Sequence, residues 1–149
     1  MATADPKAPA ADAPADTHML EQALAHVFAP WVRELDLRVL QARVGEVTLA
    51  LPVSPKHVHG GGVLCGQTLM AACDTAMVLA VISRLGGFRP MTTVQLQTSF
   101  LRPIAGDSAN VRVVARVLRL GKSLVFGEVQ VLGAADELAA HATTTYALL

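Results

Sequence analysis

The sequence predicts an α+β domain in which an antiparallel sheet of about six strands wraps around one long central helix. The segment from Cys65 to Ser83 has the length of a helix but is apolar on every side, so it needs protein all around it. Other stretches alternate apolar and polar residues as strands do, and the short turns between them favour antiparallel neighbours. At 149 residues the chain is the size of one compact domain.

Composition excludes several classes of protein. Hydrophobic residues make up 52% of the chain and charged residues 16%, which excludes disorder of the whole chain and favours an oligomer that hides apolar surface. Twelve basic residues balance twelve acidic ones, so we expect no nucleic-acid partner. Cys65 and Cys73 match neither a disulfide framework nor a zinc site, and they fit the reducing cytoplasm, with no metal bound.

The N-terminal residues 1–16 are rich in Ala, Pro and Asp and lack the charged and apolar regions of a targeting peptide. We predict a disordered tail there and a single folded domain over residues 17–149. A short amphipathic helix begins behind a Thr17 N-cap and closes at Pro30.

Strand patterns follow on both sides of the central helix. Residues 35–44 and 46–53 read as two strands joined at Gly45, and the glycine-rich residues 54–63 read as a loop. After the helix, residues 93–100 alternate as in a strand, with Val94, Leu96, Thr98 and Phe100 on one face and Thr93, Gln95, Gln97 and Ser99 on the other. Together with three further runs, over residues 110–120, 123–132 and 138–148, this strand is expected to form a four-stranded meander.

The central helix is not predicted to span a membrane. Asp74 at its midpoint, accompanied by Gln67, Thr68 and Thr75, would be costly in a bilayer. A sheet curled around the helix would bury every side of it, which explains the missing polar face.

The loop before the helix contains a spaced motif, His59-x-x-Gly62-x-x-Cys65-Gly66-Gln67, and Asp74 follows Cys65 by nine residues. This resembles the Asn-x-x-Gly-x-x-His-Gly-Gly segment and the later catalytic Asp of the PaaI-like acyl-CoA thioesterases, which have the hotdog fold. The resemblance covers roughly residues 36–147 and includes the stretches SFLRPI, RVLRLGKSLVFGEVQV and AHATTTY.

The motif departs from the family pattern at several positions. Cys65 stands in place of His, Gln67 in place of Gly and His59 in place of Asn. In an alternative register His59-Gly60-Gly61 would be the motif, but Asp74 would then lie fifteen residues from that His.

The resemblance implies hydrolysis of acyl-CoA without a cofactor. Backbone N–H groups at a helix start lack internal partners, so the Gly66 N–H could bind the thioester carbonyl as charge develops on its oxygen. Asp74 would act as general base or as nucleophile, and the sequence does not choose between these routes. The plainer alternatives are that Gly66 is needed only for packing and that Asp74 has a structural role at a dimer interface.

The resemblance also implies roles for polar residues around this pair. His59 would orient the carbonyl or the nucleophile, and Thr93 would position the water, although a strand Thr also reflects β-propensity alone. We expect Gly62, Cys65 and Gln67 to line the substrate site. Cys65 is disfavoured as a nucleophile because no Cys–His–Asx order accompanies it.

Three cations are candidates for binding the phosphates of coenzyme A: Arg102, Arg119 and Lys122. Alternatively, these three side chains are only solvated charges in loops. The family further implies a homodimer or homotetramer with shared sites, in which Gly66 and His59 come from one chain and Asp74 and Thr93 from the other. A non-catalytic acyl-CoA-binding module and a hydroxyacyl-thioester dehydratase of the same fold are the competing hypotheses.

Overall fold

The computed structural model describes residues 13–149 and confirms the predicted class, with a six-stranded antiparallel sheet and one long central helix. In chain order the elements are α1 (Thr17–His26), α2 (Pro30–Arg33), β1 (Arg38–Arg43), β2 (Glu46–Leu51), a short 3-10 turn (Pro55–His57), α3 (Gly66–Leu85), β3 (Met91–Phe100), β4 (Val111–Leu120), β5 (Leu124–Leu132) and β6 (Leu138–Leu148).

The strand order in the sheet is β1-β2-β4-β5-β6-β3. The predicted four-stranded meander is therefore wrong in one respect, because β3 pairs with β6 at the sheet edge and does not contact β4 as a neighbour. The connection over residues 101–110 is long enough to cross the two intervening strands, which lie about 5 Å apart. It is held near the start of α3, where the Leu64 N–H donates to the Ile104 carbonyl at 2.8 Å.

The helix α3 packs on the inner face of the sheet. It begins after the N-cap Cys65 and ends at Gly86, whose φ of +79° closes the last turn. By length and hydropathy alone this helix could cross a membrane, but 67% of its apolar window is buried inside the fold. It is a core helix, and the inner sheet residues that share the core with it include Val47, Leu49, Val113, Val129 and Ala142.

One side of α3 stays uncovered within a single chain. Gln67 is exposed, and Ala71, Asp74 and Val78 are only half-buried, at a spacing that places all four on one helix face. We call these four residues the α3 stripe. The prediction that the chain's own sheet buries the helix on every side is wrong here, because the sheet covers the opposite side.

The predicted disordered tail divides into two parts. Residues 1–12 lie outside the described residues, whereas residues 13–16 run beside β1 and belong to the folded part. Pro14 forms an antiparallel bridge with Arg43, and the Val44 N–H donates to the Ala13 carbonyl at 2.7 Å. These pairings extend the edge of the sheet, which gives the segment hydrogen-bond partners that its composition did not reveal.

The first helix is capped by Asp16 and not by Thr17. The Asp16 side chain accepts hydrogen bonds from the N–H groups of His18 and Met19, at 3.0 and 3.2 Å. The N-cap therefore lies one residue earlier than predicted.

Candidate active site

Three side chains from three separate elements meet at the middle of α3. Thr93 on β3 donates a hydrogen bond from Oγ1 to Asp74 Oδ1 at 2.9 Å. The Tyr146 hydroxyl, on β6, donates to the same Asp74 Oδ1, and it also lies 2.9 Å from the Asp74 backbone carbonyl oxygen. Two hydroxyl groups thus converge on one oxygen of a half-buried carboxylate.

A β-bulge directs Thr93 toward Asp74. Simple alternation puts Thr93 and Leu96 on opposite faces of β3, but the register with β6 shifts between Thr93 and Gln95. Thr93 lies opposite Tyr146 and Leu96 lies opposite Thr144, so Thr93 and Leu96 both face the helix. Because the bulge contains an extra residue, the face that simple alternation gives Thr93 is wrong. The expected proximity of Thr93 to the Asp74 carboxylate is nevertheless observed.

Tyr146 was not among the residues singled out from the sequence. Its side chain is only 1% exposed, and burial, together with the neighbouring Asp74 charge and their hydrogen bond, raises the pKa of the phenol well above its usual value. A signal for it exists in the sequence, since Tyr146 is the single tyrosine of the chain and stands in a strand rich in small and β-branched residues. A buried phenol needs a hydrogen-bond acceptor, and Asp74 is the only acidic residue of α3.

A groove of about 360 Å³ opens beside this cluster and is largely apolar. One wall is formed by α2 and the residues between α1 and α2, the floor by Ala71, Asp74 and Val78 of the α3 stripe, and the far end by the chain just before and at the start of β3. Trp31 is 62% exposed at its rim. The apolar lining includes Phe28, Trp31, Val32, Ala71, Val78, Phe88 and Met91, and the polar end consists of Asp74, Thr75, Thr92, Thr93 and Tyr146.

The start of α3 forms a second, separate part of the candidate site. Gly66 is the first helical residue, and a Cβ placed on it would approach the Phe100 ring at Cζ to 3.2 Å. The Cys65 Sγ lies 3.1 Å from Thr68 Oγ1, and this contact, aided by first-turn amides, lowers the pKa of the thiol. Cys65 thus occupies a capping position, and neither it nor Gly66 lines the groove beside Asp74.

Gly66 and Asp74 are too far apart to act on one group within a single chain. They are eight residues apart on the same helix. At a rise of about 1.5 Å per residue, their backbones are about 12 Å apart along the axis.

His59 lies in an exposed turn and does not reach the groove in its own chain. Its ring nitrogen Nδ1 accepts from the Gly61 N–H at 2.9 Å, and Gly62, with a φ of +78°, donates to the His59 carbonyl at 2.9 Å. Gly62 therefore serves the turn geometry directly. His57 is the more buried histidine, with a pKa lowered chiefly by burial, and it shares a small pocket with Gln67.

The three candidate cations do not meet in one chain. Arg102 follows the end of β3, near Gly66, whereas Lys122 lies in the β4–β5 hairpin beside the start of β3. Ten strand residues, about 33 Å, separate these ends. Arg119 lies near the hairpin and lines a different groove, with Arg84. Within residues 13–149, no group of three or more His, Cys, Asp or Glu side chains could hold a metal ion.

Comparison with known proteins identifies the family. The profile of the thioesterase superfamily matches residues 56–145 of this chain, a range that contains α3, Asp74, Thr93 and most of the sheet. The chain belongs to the thioesterase superfamily. A Thermoplasma volcanium protein named as a candidate esterase is 32% identical over 106 residues, which are 71% of this thioesterase-superfamily chain and 77% of the relative.

Solved structures of this superfamily confirm the hotdog fold and the PaaI-like resemblance. Zebrafish thioesterase superfamily member 2 superposes with a TM-score of 0.80 at 23% identity, covering 89% of this chain and 98% of that one. A mutant of the phenylacetic acid degradation protein PaaI from Thermus thermophilus superposes with a TM-score of 0.68 at 28% identity, covering 81% of this chain and all of that one.

Proposed function

We propose that this member of the thioesterase superfamily hydrolyses acyl-CoA to a free acid and CoA in a site built by two copies of the chain. The observation that carries the proposal is the Asp74 carboxylate, held by Thr93 and Tyr146 at the polar end of an apolar groove. A carboxylate so placed has the surroundings of a reactive group, with an apolar space beside it for an acyl chain.

The ionised Asp74 supports either of two hydrolytic routes. As a general base it removes a proton from water while that water attacks the carbonyl carbon, after which the C–S bond breaks and CoA leaves as a thiolate that takes up a proton. As a nucleophile it attacks the carbonyl carbon itself, expels the CoA thiolate and forms an anhydride that water then hydrolyses. Both routes need no redox partner.

The second element of the mechanism is the Gly66 N–H, which would stabilise the carbonyl oxygen as it becomes negative. Because about 12 Å of helix separates Gly66 from Asp74, we assign the two to different copies, with His59 accompanying Gly66 and Thr93 accompanying Asp74. The uncovered α3 stripe and the apolar side chains exposed along β3 support such a pairing; Val94 is 59% exposed and Phe100 is 50% exposed.

The groove beside Asp74 is proposed to take the acyl group of the substrate. Its aromatic and aliphatic lining favours a hydrophobic acyl chain or ring. Of the three candidate cations, Arg102 lies at the same end of β3 as Gly66 and is the first candidate for the CoA phosphates, while Arg119 and Lys122 would serve only from another copy. Two free thiols, Cys65 and Cys73, are compatible with the cytoplasm, where we expect the enzyme to act.

The experiment is a measurement of free CoA release by the full chain over a panel of short, medium, long and arylacetyl thioesters. We expect turnover, and we expect Asp74→Asn to lower kcat by at least about 100-fold with an unchanged circular dichroism spectrum. Asp136→Asn is the matched control, because Asp136 is exposed in the β5–β6 turn at a φ of +64°, which Asn tolerates.

Three results would contradict the proposal. An Asp74→Asn variant that keeps full activity removes Asp74 from the mechanism. Tight binding of acyl-CoA without release of CoA would indicate a binding module. An enoyl product from a hydroxyacyl substrate, with CoA still attached, would indicate a dehydratase.

A further inference from the structure

The two carboxylate oxygens of Asp74 differ in the hydrogen bonds that they accept. Thr93 and Tyr146 both donate to Oδ1. Among the described residues, no hydrogen-bond donor reaches Oδ2, and Asp74 is half-buried at the polar end of the groove. The carboxylate is thus asymmetric before any substrate binds.

Tyr146 is well suited to maintain this asymmetry. It is buried on β6, and its hydroxyl reaches the Asp74 backbone carbonyl of α3, so it has little freedom to move. A phenol has one proton to donate, and Asp74 offers it two acceptors, the backbone carbonyl and Oδ1. The ionised oxygen is the stronger acceptor of the two.

We propose that Tyr146 is a positioning residue that, together with Thr93, saturates Oδ1 of Asp74 and leaves Oδ2 as the oxygen that reacts. This inference rests on the proposed function, and it assigns the reactive atom as well as a further residue. On the general-base route Oδ2 accepts the proton of water, and on the nucleophilic route Oδ2 forms the new bond to the carbonyl carbon. In either case Oδ1 remains hydrogen-bonded to Tyr146 throughout.

The first experiment compares Tyr146→Phe with Thr144→Val in the full chain. Phe keeps the buried ring and removes only the hydroxyl. Thr144 is a matched control on the same strand and face, because its buried hydroxyl donates to the Gln95 carbonyl at 2.8 Å and does not contact Asp74. Each variant thus loses one buried hydrogen bond.

We expect Tyr146→Phe to lower kcat roughly tenfold with little change in KM. Thr144→Val is expected to keep the wild-type kcat and KM even if its melting temperature falls. A merely structural role of Tyr146 would lower the melting temperature and leave kcat of the folded protein unchanged.

A second measurement does not depend on activity. Tyr146 is the only tyrosine in the chain, so the near-ultraviolet absorbance of phenolate reports its ionisation alone. Because part of the upward shift of the phenol pKa comes from Asp74, Asp74→Asn should move the titration to lower pH, while burial keeps it above the usual value.

The outcomes separate this inference from the proposed function. If Asp74→Asn is inactive but Tyr146→Phe has the same kcat and KM as Thr144→Val, the positioning role is wrong and the function stands. If Asp74→Asn keeps full activity, the function fails, whatever the phenol titration reports. An identical phenol titration in wild type and Asp74→Asn, at pH values where circular dichroism shows both proteins folded, contradicts the contact itself, and this holds even if Tyr146→Phe does not fold.

Discussion

The Phe100 ring lies against the Cα of Gly66, so close that an added Cβ would come within 3.2 Å of the ring's Cζ. Gly66 starts α3, and Phe100 ends β3, so this contact joins the helix start to the end of the edge strand. The ring is half exposed and can swing away, but the space between it and the helix start is too narrow for a side chain.

Gly66→Ala tests whether that space admits the thioester carbonyl. We expect kcat/KM to fall by about tenfold or more, because a methyl group would stand where the carbonyl approaches the backbone N–H. The melting temperature should change by only a few degrees, since Ala favours the helix while displacing the ring. The double variant Gly66→Ala with Phe100→Ala removes the clash; if it recovers wild-type activity, ring displacement explains the loss and blocked access to the N–H does not.

Thr93→Val keeps the shape of the side chain and removes its hydroxyl, leaving Asp74 Oδ1 with one donor in place of two. We expect kcat to fall about tenfold, the value of one hydrogen bond to a charged group. Thr93→Ser is the control, because it restores the donor with less bulk and should recover most of the rate. Equal activity of the Val and Ser variants would show that the hydroxyl contributes nothing.

Cys65→Ser should retain most of the activity. A serine hydroxyl can replace Sγ in the contact with Thr68 and is a better N-cap than cysteine, so the start of α3 keeps its geometry. If the serine variant folds well and has lost nearly all turnover, thiol chemistry replaces the assignment of Asp74.

Thiol counting provides a second check on the cysteines. Cys73 is fully buried, and burial raises its thiol pKa to about 12, whereas contact with Thr68 lowers the pKa of the Cys65 thiol. Native protein near neutral pH should therefore react with iodoacetamide at Cys65 alone. Mass spectrometry of the alkylated chain identifies the residue, and rapid modification of Cys73 in folded protein would contradict the described core.

The exposed edge strand β3 predicts that the chain associates and that association is needed for activity. Val94→Glu would place a charge on the exposed bulge of β3, and we expect light scattering to report a smaller species with CoA release strongly reduced. Gln22→Glu, on the exposed side of α1, adds the same charge elsewhere and should change neither. A wild-type monomer with full activity would exclude the shared site.

The pH dependence of stability at alkaline pH follows from two buried groups that keep their protons, the Tyr146 phenol and the Cys73 thiol. The folded pKa values of Tyr146 and Cys73 are both raised, Cys73 from 9.0 to about 12, so the folded state holds these protons more tightly than the unfolded chain. Each contribution is complete below the unfolded pKa, which is 9.0 for Cys73 and 10.0 for Tyr146, and is lost as pH rises above that value, at up to about 1.4 kcal/mol per pH unit. Denaturant titrations at several alkaline pH values measure the slope, which Tyr146→Phe and Cys73→Ala should each reduce; an unchanged slope in both would contradict the assignment.

Much of the fold could be predicted from local patterns. The uninterrupted apolar composition of residues 65–83 predicts a core helix, because no side of it can face water. The strand patterns after it locate β3 to β6 within a few residues of their observed bounds. These features depend on neighbours close in sequence, and local periodicity carries that information.

The placement of Thr93 illustrates where periodicity stops being informative. Alternation with a two-residue period predicts the face of Thr93 correctly only if the strands pair regularly. The bulge at Val94 inserts one residue, so the β3 residues before Val94 point to the opposite face from the one that alternation predicts. The choice of β6 as the partner of β3 is likewise a matter of long-range pairing, which the residues of β3 alone do not specify.

The sequence by itself determined that an apolar helix with one acidic residue, Asp74, forms the centre of this protein, because composition and spacing along one segment are sufficient for that. The tertiary structure alone decided what surrounds the carboxylate: Tyr146, 72 residues away in the chain, and the bulged strand that presents Thr93. The physical reason is that a hydrogen bond between distant residues depends on strand order and register, and these are set by how the whole sheet closes over the helix.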